Sequence, residues 1–117
     1  MHELALCQAI ADTVAERAGE VAAGRRVQAV HVRIGHFRQV VPESMAFSWE
    51  VLTPGTGLEG STLEIEHVPA TVACAGCGAT TVLDLPILAC LECGETDPDL
   101  VALVTGEEFS IVGLELT

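Results

Sequence analysis

The spacing of apolar residues along the chain predicts two helices and three strands, with a cysteine-bearing segment before the last strand. Between residues 3 and 19, apolar or small side chains recur in steps of three and four, at Leu4, Cys7, Ala11, Val14 and Ala18. This spacing is typical of an amphipathic helix with one face in the core. Because Cys7 falls on the apolar face, we expect it to be a small core residue and not a reactive thiol.

Alternation of apolar and polar residues predicts strands at 27–34, 62–67 and 112–116. A second helix is predicted from Pro42 to about residue 52, because proline is well tolerated at the first helical position. The strands on either side of the cysteine segment are expected to share one sheet. We therefore predict an α+β fold in which a module at 69–106 is inserted into a main domain formed by 1–68 and 107–117.

The charge is distributed unevenly along the 117 residues, whose net charge is −12. All positive side chains are arginines within the first 38 residues, whereas residues 39–117 carry carboxylates and no Lys or Arg. We therefore do not expect a zinc ribbon that binds nucleic acid, because Lys and Arg side chains are needed to neutralise the phosphates. We read the acidity as a source of solubility, with docking to a basic partner as the alternative. Cysteines at the spacing of metal ligands, in a chain where we see no export signal, predict a cytoplasmic location.

Four of the five cysteines form two Cys-x-x-Cys pairs, Cys74/Cys77 and Cys90/Cys93, and each pair is followed by a glycine. Two such turns supply a tetrahedral cage of thiolates, which is a ligand set that Zn²⁺ prefers. The glycines allow the backbone to turn back over the metal. Two structural disulfides or a redox pair are the alternatives. A closed four-thiolate site leaves no position for a substrate, so we expect structural zinc and no catalysis there.

The amino terminus offers a second set of metal ligands. A free α-amine titrates at about 7.7–8.0, so a metal ion can displace its proton near neutral pH. The amine, the following amide nitrogens and the His2 imidazole can converge on one ion, in a planar arrangement that suits Ni²⁺ or Cu²⁺ better than Zn²⁺. Glu3 adds an oxygen ligand or a hydrogen-bond acceptor beside them. From these residues alone, an incidental histidine is the more frequent explanation.

The other three histidines are interpreted differently. His31 lies on the polar face of the first strand, where we expect it to be solvated. His67 shares the register of Leu63 and Ile65, which predicts a half-buried side chain. His36 comes just past a strand end, an exposed position from which an imidazole can reach a metal.

Several motifs, in their order along the chain, resemble the HypA/HybF family of nickel metallochaperones in hydrogenase maturation. The likeness is carried by Met-His-Glu-Leu-Ala-Leu-Cys at 1–7, Val-Arg-Ile-Gly at 32–35, Pro-Glu-Ser at 42–44, Phe-Ser-Trp-Glu at 47–50, the turn at 55–57 and the double Cys-x-x-Cys. It extends from residue 1 to the end of the chain. One departure is His36, where the family usually has a glutamate. We read this as a surface change, with an altered nickel donor set as the alternative.

The resemblance implies a two-part protein, with a nickel domain of one three-stranded sheet and two helices, and a zinc domain inserted before the last strand. It implies Ni²⁺ bound by His2 and Glu3 with their backbone nitrogens, and Zn²⁺ bound by the four paired cysteines. The implied partners are the GTPase HypB and the large subunit of [NiFe]-hydrogenase, with urease as a client in some organisms. Dimerisation is left open. The implied role is a carrier and not an enzyme; the alternative is a zinc-stabilised protein-interaction module in which His2 is incidental.

Overall fold

The computed structural model describes residues 2–21, 24–83 and 87–117. Its elements are α1 (His2–Val21), β1 (Val27–Gly35), a short 3-10 helix (His36–Arg38), α2 (Pro42–Leu52), β2 (Thr62–Val68), β3 (Thr71–Cys74), β4 (Thr80–Val82), β5 (Val101–Thr105) and β6 (Phe109–Leu116). The predicted α+β class is confirmed: two helices accompany two small three-stranded sheets, ordered β2-β1-β6 and β4-β3-β5. No described helix is long and apolar enough to cross a membrane.

The chain divides into two compact units: residues 1–32, 40–66 and 110–117 form one, and residues 33–39 and 67–109 form the other. These boundaries differ from the predicted domains at three segments, residues 33–39, 67–68 and 107–109, which all group with the cysteine-bearing unit. Residues 33–39, which the sequence assigned to the main domain, group with the cysteine-bearing unit. This segment covers the end of β1 and the 3-10 helix, which the sequence did not predict.

In the first unit, the two helices pack on each other and β1 is the central strand of its sheet. A central strand has a neighbouring strand along each of its two edges, and within β1 only Gln28 and Arg33 are exposed. The core of this unit is aliphatic apart from one tryptophan, with buried side chains at Cys7, Ile10, Val14, Val27, Ala29, Val30, Val32, Met45, Trp49 and Leu58. Cys7 is fully buried, as predicted, and burial raises the pKa of its thiol to about 11.

Trp49 is the largest buried side chain, and its polar edge is satisfied. The indole Nε1 donates a hydrogen bond of 3.0 Å to Ser61 Oγ, which itself donates to the Leu58 carbonyl. A buried indole needs such a partner, because an unpaired buried N–H is costly. The turn that follows α2 therefore supplies the partner that lets the tryptophan remain in the core.

Two details of the outer strands were predicted wrongly. The last strand begins at Phe109 instead of residue 112, and Val112 is about half exposed. His67 is exposed instead of half-buried, although Leu63 and Ile65 are partly covered as expected. Alternation identifies which residues share a face of a strand, but burial also needs a neighbour that covers that face. His67 is the next-to-last residue of β2, where strand periodicity gives the weakest indication of cover.

The second unit is built around β3, which pairs antiparallel with both β4 and β5. Its buried cluster is small and includes two of the paired cysteines: Ala70, Val72, Cys74, Leu83, Cys90 and Val101, with Phe37 and Leu103 packed against it. So few aliphatic side chains give a weak driving force for folding, since each buried one contributes only about 1.5–3 kcal/mol. Stability of this unit must come from another source as well.

Two glycines bring backbones of this second unit into direct contact. The Gly35 amide donates to the Glu108 carbonyl and the Phe37 amide donates to the Gly106 carbonyl, both at 2.7 Å. A Cβ added at Gly35 would lie 2.2 Å from the carbonyl carbon and oxygen of Gly106. Gly106 also has φ of +128°, a conformation that side-chain-bearing residues rarely adopt. Both positions therefore require glycine.

Candidate functional site

The two Cys-x-x-Cys turns have the same backbone conformation. In each, the carbonyl of the first cysteine accepts a 2.8 Å hydrogen bond from the glycine amide, Gly78 to Cys74 and Gly94 to Cys90. The amide of each first cysteine donates to the carbonyl five residues later, at 2.9 Å in both turns. Both glycines are left-handed, with φ of +78° and +81°. Each turn therefore directs its two sulfur atoms toward one point.

The four sulfur atoms of Cys74, Cys77, Cys90 and Cys93 form a single cage. All lie within 4.8 Å of one another, with Sγ–Sγ distances of 3.8 Å from Cys74 to Cys93 and 3.6 Å from Cys77 to Cys90. No disulfide joins them. A tetrahedral zinc ion with Zn–S bonds of about 2.3 Å holds its sulfur ligands about 3.8 Å apart. The donor set and its spacing therefore fit Zn²⁺, and four protein ligands leave no open position.

The thiols of this cage influence each other's ionisation. The pKa of Cys90 is lowered to about 7, chiefly by the hydrogen bond from the Cys93 amide. The hydrogen bond from the Glu95 amide is the largest single influence on the pKa of Cys93, and it lowers that pKa. The side chains of Cys77 and Cys90 outweigh this effect, so the pKa of Cys93 is raised to about 12. Cys90 therefore ionises readily, whereas Cys93 keeps its proton. A bound divalent cation reverses this, because a coordinating thiol is deprotonated outright.

The predicted nickel ligands His2 and Glu3 are the first two residues of helix α1. The nearest side-chain atoms of the pair, His2 Nε2 and Glu3 Oε2, are 3.9 Å apart. The His2 side chain is 52% exposed and that of Glu3 only 15%, so the imidazole is the more accessible ligand. Met1, whose amine is part of the predicted ligand set, lies outside the described residues. The first amides of a helix have no partner within the helix, and His2 and Glu3 supply two of them.

Glu3 has an additional contact with the chain before α2. Its carboxylate accepts a hydrogen bond of 3.4 Å from the Val41 amide. Its pKa is lowered from 4.5, first by the hydrogen bond from its own amide, and further by the Val41 amide and the nearby His2, against the effect of burial. The carboxylate is therefore ionised at neutral pH and fixed in position next to the imidazole.

Comparison with known proteins identifies the family. The family profile described as "Hydrogenase/urease nickel incorporation, metallochaperone, hypA" matches residues 1–116. The chain belongs to the HypA family. It is 37% identical over 115 residues to the hydrogenase maturation factor HypA of Roseiflexus sp. RS-1, covering 98% of this chain and 91% of that protein. It is 39% identical over 118 residues to HypA of Geotalea daltonii, covering 97% of each.

Two solved HypA structures share the fold. The solution structure of the Ni metallochaperone HypA from Helicobacter pylori aligns with a TM-score of 0.64 at 17% identity, covering 97% of this chain and 96% of that one. A second HypA solution structure gives a TM-score of 0.67 at 19% identity, covering 100% and 97%. The whole α+β architecture, including the four-cysteine module, is thus a HypA fold.

The remaining histidines of this HypA-family chain differ from their predicted settings. His31 is not simply solvated, because its Nε2 makes a hydrogen bond of 2.7 Å with Glu115 Oε2. His36 is half-buried, and its ring meets that of His67 with the centroids 5.6 Å apart. The sequence drew attention to His36 as a position from which a metal can be reached. It did not indicate that a second imidazole lies beside it.

Proposed function

We propose that this protein is a nickel carrier that delivers Ni²⁺ during maturation of [NiFe]-hydrogenase, and that it binds and transfers metal without catalysing a reaction. The observation that carries this proposal is the placement of His2 and Glu3, adjacent and partly exposed at the start of α1, in a chain of a nickel-incorporation family. The α-amine, the first amides and the His2 imidazole provide nitrogen donors. Nitrogen-rich planar sites favour Ni²⁺ over Zn²⁺.

Glu3 has a supporting role in this proposal. Its carboxylate is held by the Val41 amide and remains ionised because its pKa is lowered. An ionised group next to a metal-bound imidazole can accept a hydrogen bond from it or occupy a position on the metal. Partners that orient a ligand in this way strengthen metal binding. We therefore expect Glu3 to matter less than His2, which supplies a ligand directly.

The four-cysteine cage is proposed to hold a structural Zn²⁺. The sulfur spacing fits a tetrahedral ion, and the small buried cluster of the same unit lacks the apolar surface to fold strongly without help. Binding a metal to a site that exists only in the folded state contributes directly to the free energy of folding. We propose on this basis that the unit with the cysteines is a zinc domain and the unit with α1 and α2 a nickel domain.

Transfer of nickel requires a partner that reaches the amino terminus. Glu3 lines an open groove of about 440 Å³ between α1 and α2, together with Glu43, Phe47 and Val51. Phe47 is 67% exposed and Val51 56% exposed, so this groove presents two apolar side chains of α2 to solvent. Contiguous exposed apolar surface is typical of protein interaction sites. We propose that this groove receives the maturation partner, a HypB-type GTPase or the hydrogenase large subunit, in the cytoplasm. Urease is the alternative client, and self-association into a homodimer is the alternative use of the surface.

Nickel titration of the untagged protein tests the proposal. The native chain should bind about one Ni²⁺ with zinc still in place, and His2→Ala should lose most of that affinity. His31→Ala is the matched control, because His31 is also a partly exposed histidine but is hydrogen-bonded to Glu115. If the native chain retains zinc but binds no nickel, the proposal fails and a zinc-stabilised interaction module remains as the explanation.

A further inference from the structure

Two imidazoles from different elements meet in the second unit. His36 begins the 3-10 helix directly after β1, and His67 lies near the end of β2, the strand next to β1 in the sheet. The ring centroids are 5.6 Å apart and the ring planes are inclined at 82°. His67 is exposed and His36 is half-buried, so solvent and ions reach the pair.

The separation of the rings suits a shared metal ion. Two imidazoles bound to one ion by metal–nitrogen bonds of about 2.0–2.1 Å have centroids roughly 4.5–5.5 Å apart at ordinary bond angles. The observed 5.6 Å lies just above that range. Small rotations about the side-chain bonds therefore suffice to aim one nitrogen from each ring at a common point, since the terminal torsion of histidine is broad.

His36 is held in position by the backbone on both sides of it. The Gly35 amide donates to the Glu108 carbonyl, and the Phe37 amide donates to the Gly106 carbonyl. The Phe37 ring contacts the His36 ring edge-on, with centroids 5.9 Å apart, and packs against the buried cluster of the unit. A ligand on such a fixed backbone loses little freedom when it binds, which favours affinity.

We propose that His36 and His67 form a second transition-metal site, which takes a divalent ion such as Ni²⁺, Cu²⁺ or Zn²⁺ through two imidazole nitrogens. Imidazole is a good ligand for all three ions. Within residues 2–21, 24–83 and 87–117, the only cluster of three or more candidate ligands is the four-cysteine cage, so water completes the coordination of the histidine pair. A site with two protein ligands and several waters binds weakly and exchanges its ion readily. It is therefore suited to brief holding of a metal and not to storage.

The charge of the chain supports cation binding at this site. Residues 39–117, which include His67 but not His36, contain no Lys or Arg, and the chain as a whole carries −12. Arg38, two residues after His36, donates a hydrogen bond to the Glu107 carbonyl. A negative field raises the local concentration of cations. The proposal uses neither His2 nor the cysteines, so it stands or falls separately from the proposed nickel terminus.

The test uses the untagged full chain carrying His2→Ala, with zinc bound, so that the amino-terminal imidazole cannot contribute. Ni²⁺ is added in steps while the ring protons of each histidine are followed by NMR. Because Ni²⁺ in a site with water ligands is paramagnetic, the signals of His36 and His67 should broaden together, before that of His31. Equal broadening of all three histidines would overturn the proposal.

Single substitutions give a second, independent measurement. In the same background, His36→Gln and His67→Gln should each weaken Ni²⁺ binding at least tenfold, while His31→Gln leaves it unchanged. Zinc content and far-UV circular dichroism confirm that each variant is folded, which is expected because His67 is exposed and His36 is only half-buried. Unchanged binding in either His36→Gln or His67→Gln would show that the two imidazoles do not share an ion.

Discussion

Gly35→Ala should destabilise the second unit, because the added methyl group has no space. Its Cβ would lie 2.2 Å from the carbonyl of Gly106 and 2.6 Å from the Glu107 amide nitrogen, whereas ordinary contacts begin at 3.4 Å. The two backbone segments must separate by about 1.2 Å, which is the difference between the ordinary contact distance of 3.4 Å and the 2.2 Å available here. That displacement strains the 2.7 Å hydrogen bonds on either side.

The expected cost is at least the roughly 1–3 kcal/mol measured when groups are forced into filled space. For a small domain each kcal/mol lowers Tm by roughly 4–8 °C. Thermal unfolding followed by circular dichroism should therefore show a Tm lower by at least about 4 °C, with zinc released at correspondingly lower temperature. Gly113→Ala is the matched control, because a Cβ there meets nothing within 4 Å. A Gly35→Ala protein as stable as Gly113→Ala would refute the argument.

Three other predictions concern the metal ligands and the buried thiol. Cys77→Ser should abolish zinc binding and expose the amides of residues 67–109 to hydrogen exchange. The control Ala75→Ser, a change at an exposed position of the same turn, should keep its zinc and its protection from exchange. Retained zinc in Cys77→Ser would contradict the four-cysteine cage. Lowering the pH from about 7.5 to about 6 should weaken Ni²⁺ binding before zinc is released, because amine and imidazole ligands must lose protons to bind. Glu3 does not contribute to that loss, because its pKa is lowered from 4.5 and its carboxylate therefore stays ionised across this pH range. Equal Ni²⁺ affinity at both pH values would show that oxygen ligands dominate. Cys7 should resist alkylation at pH 8 in the folded protein, because burial raises its pKa to about 11, and rapid labelling would contradict its buried position.

Local periodicity was sufficient to predict the main helices and strands. Helix α2 occupies Pro42–Leu52 as predicted, because proline marks its start and its apolar positions repeat with helical spacing. Helix α1 was also located correctly, although the predicted apolar face omitted Ile10, which is almost fully buried. Ile10 lies three residues after Cys7 and four before Val14, so the same periodicity contained the signal.

Features that depend on distant parts of the chain could not be predicted in this way. Strands β3, β4 and β5 are only three to five residues long, too short for alternation to stand out. The close approach of Gly35 and Gly106 and the pairing of His36 with His67 arise from tertiary folding. The cysteine cage was predictable because its spacing within each turn is local and its ligand chemistry is specific.

The central claim, that the amino terminus holds nickel, is tested most directly by extending it. A Gly-Ser extension before Met1, free of histidine, turns the α-amine into a poor amide donor and crowds the ligands at His2. Isothermal titration with Ni²⁺ should show markedly weaker binding than in the native protein, with zinc content and Tm unchanged. If the extended protein binds nickel as tightly as the native one, the amine is not a ligand and the proposed nickel site is wrong.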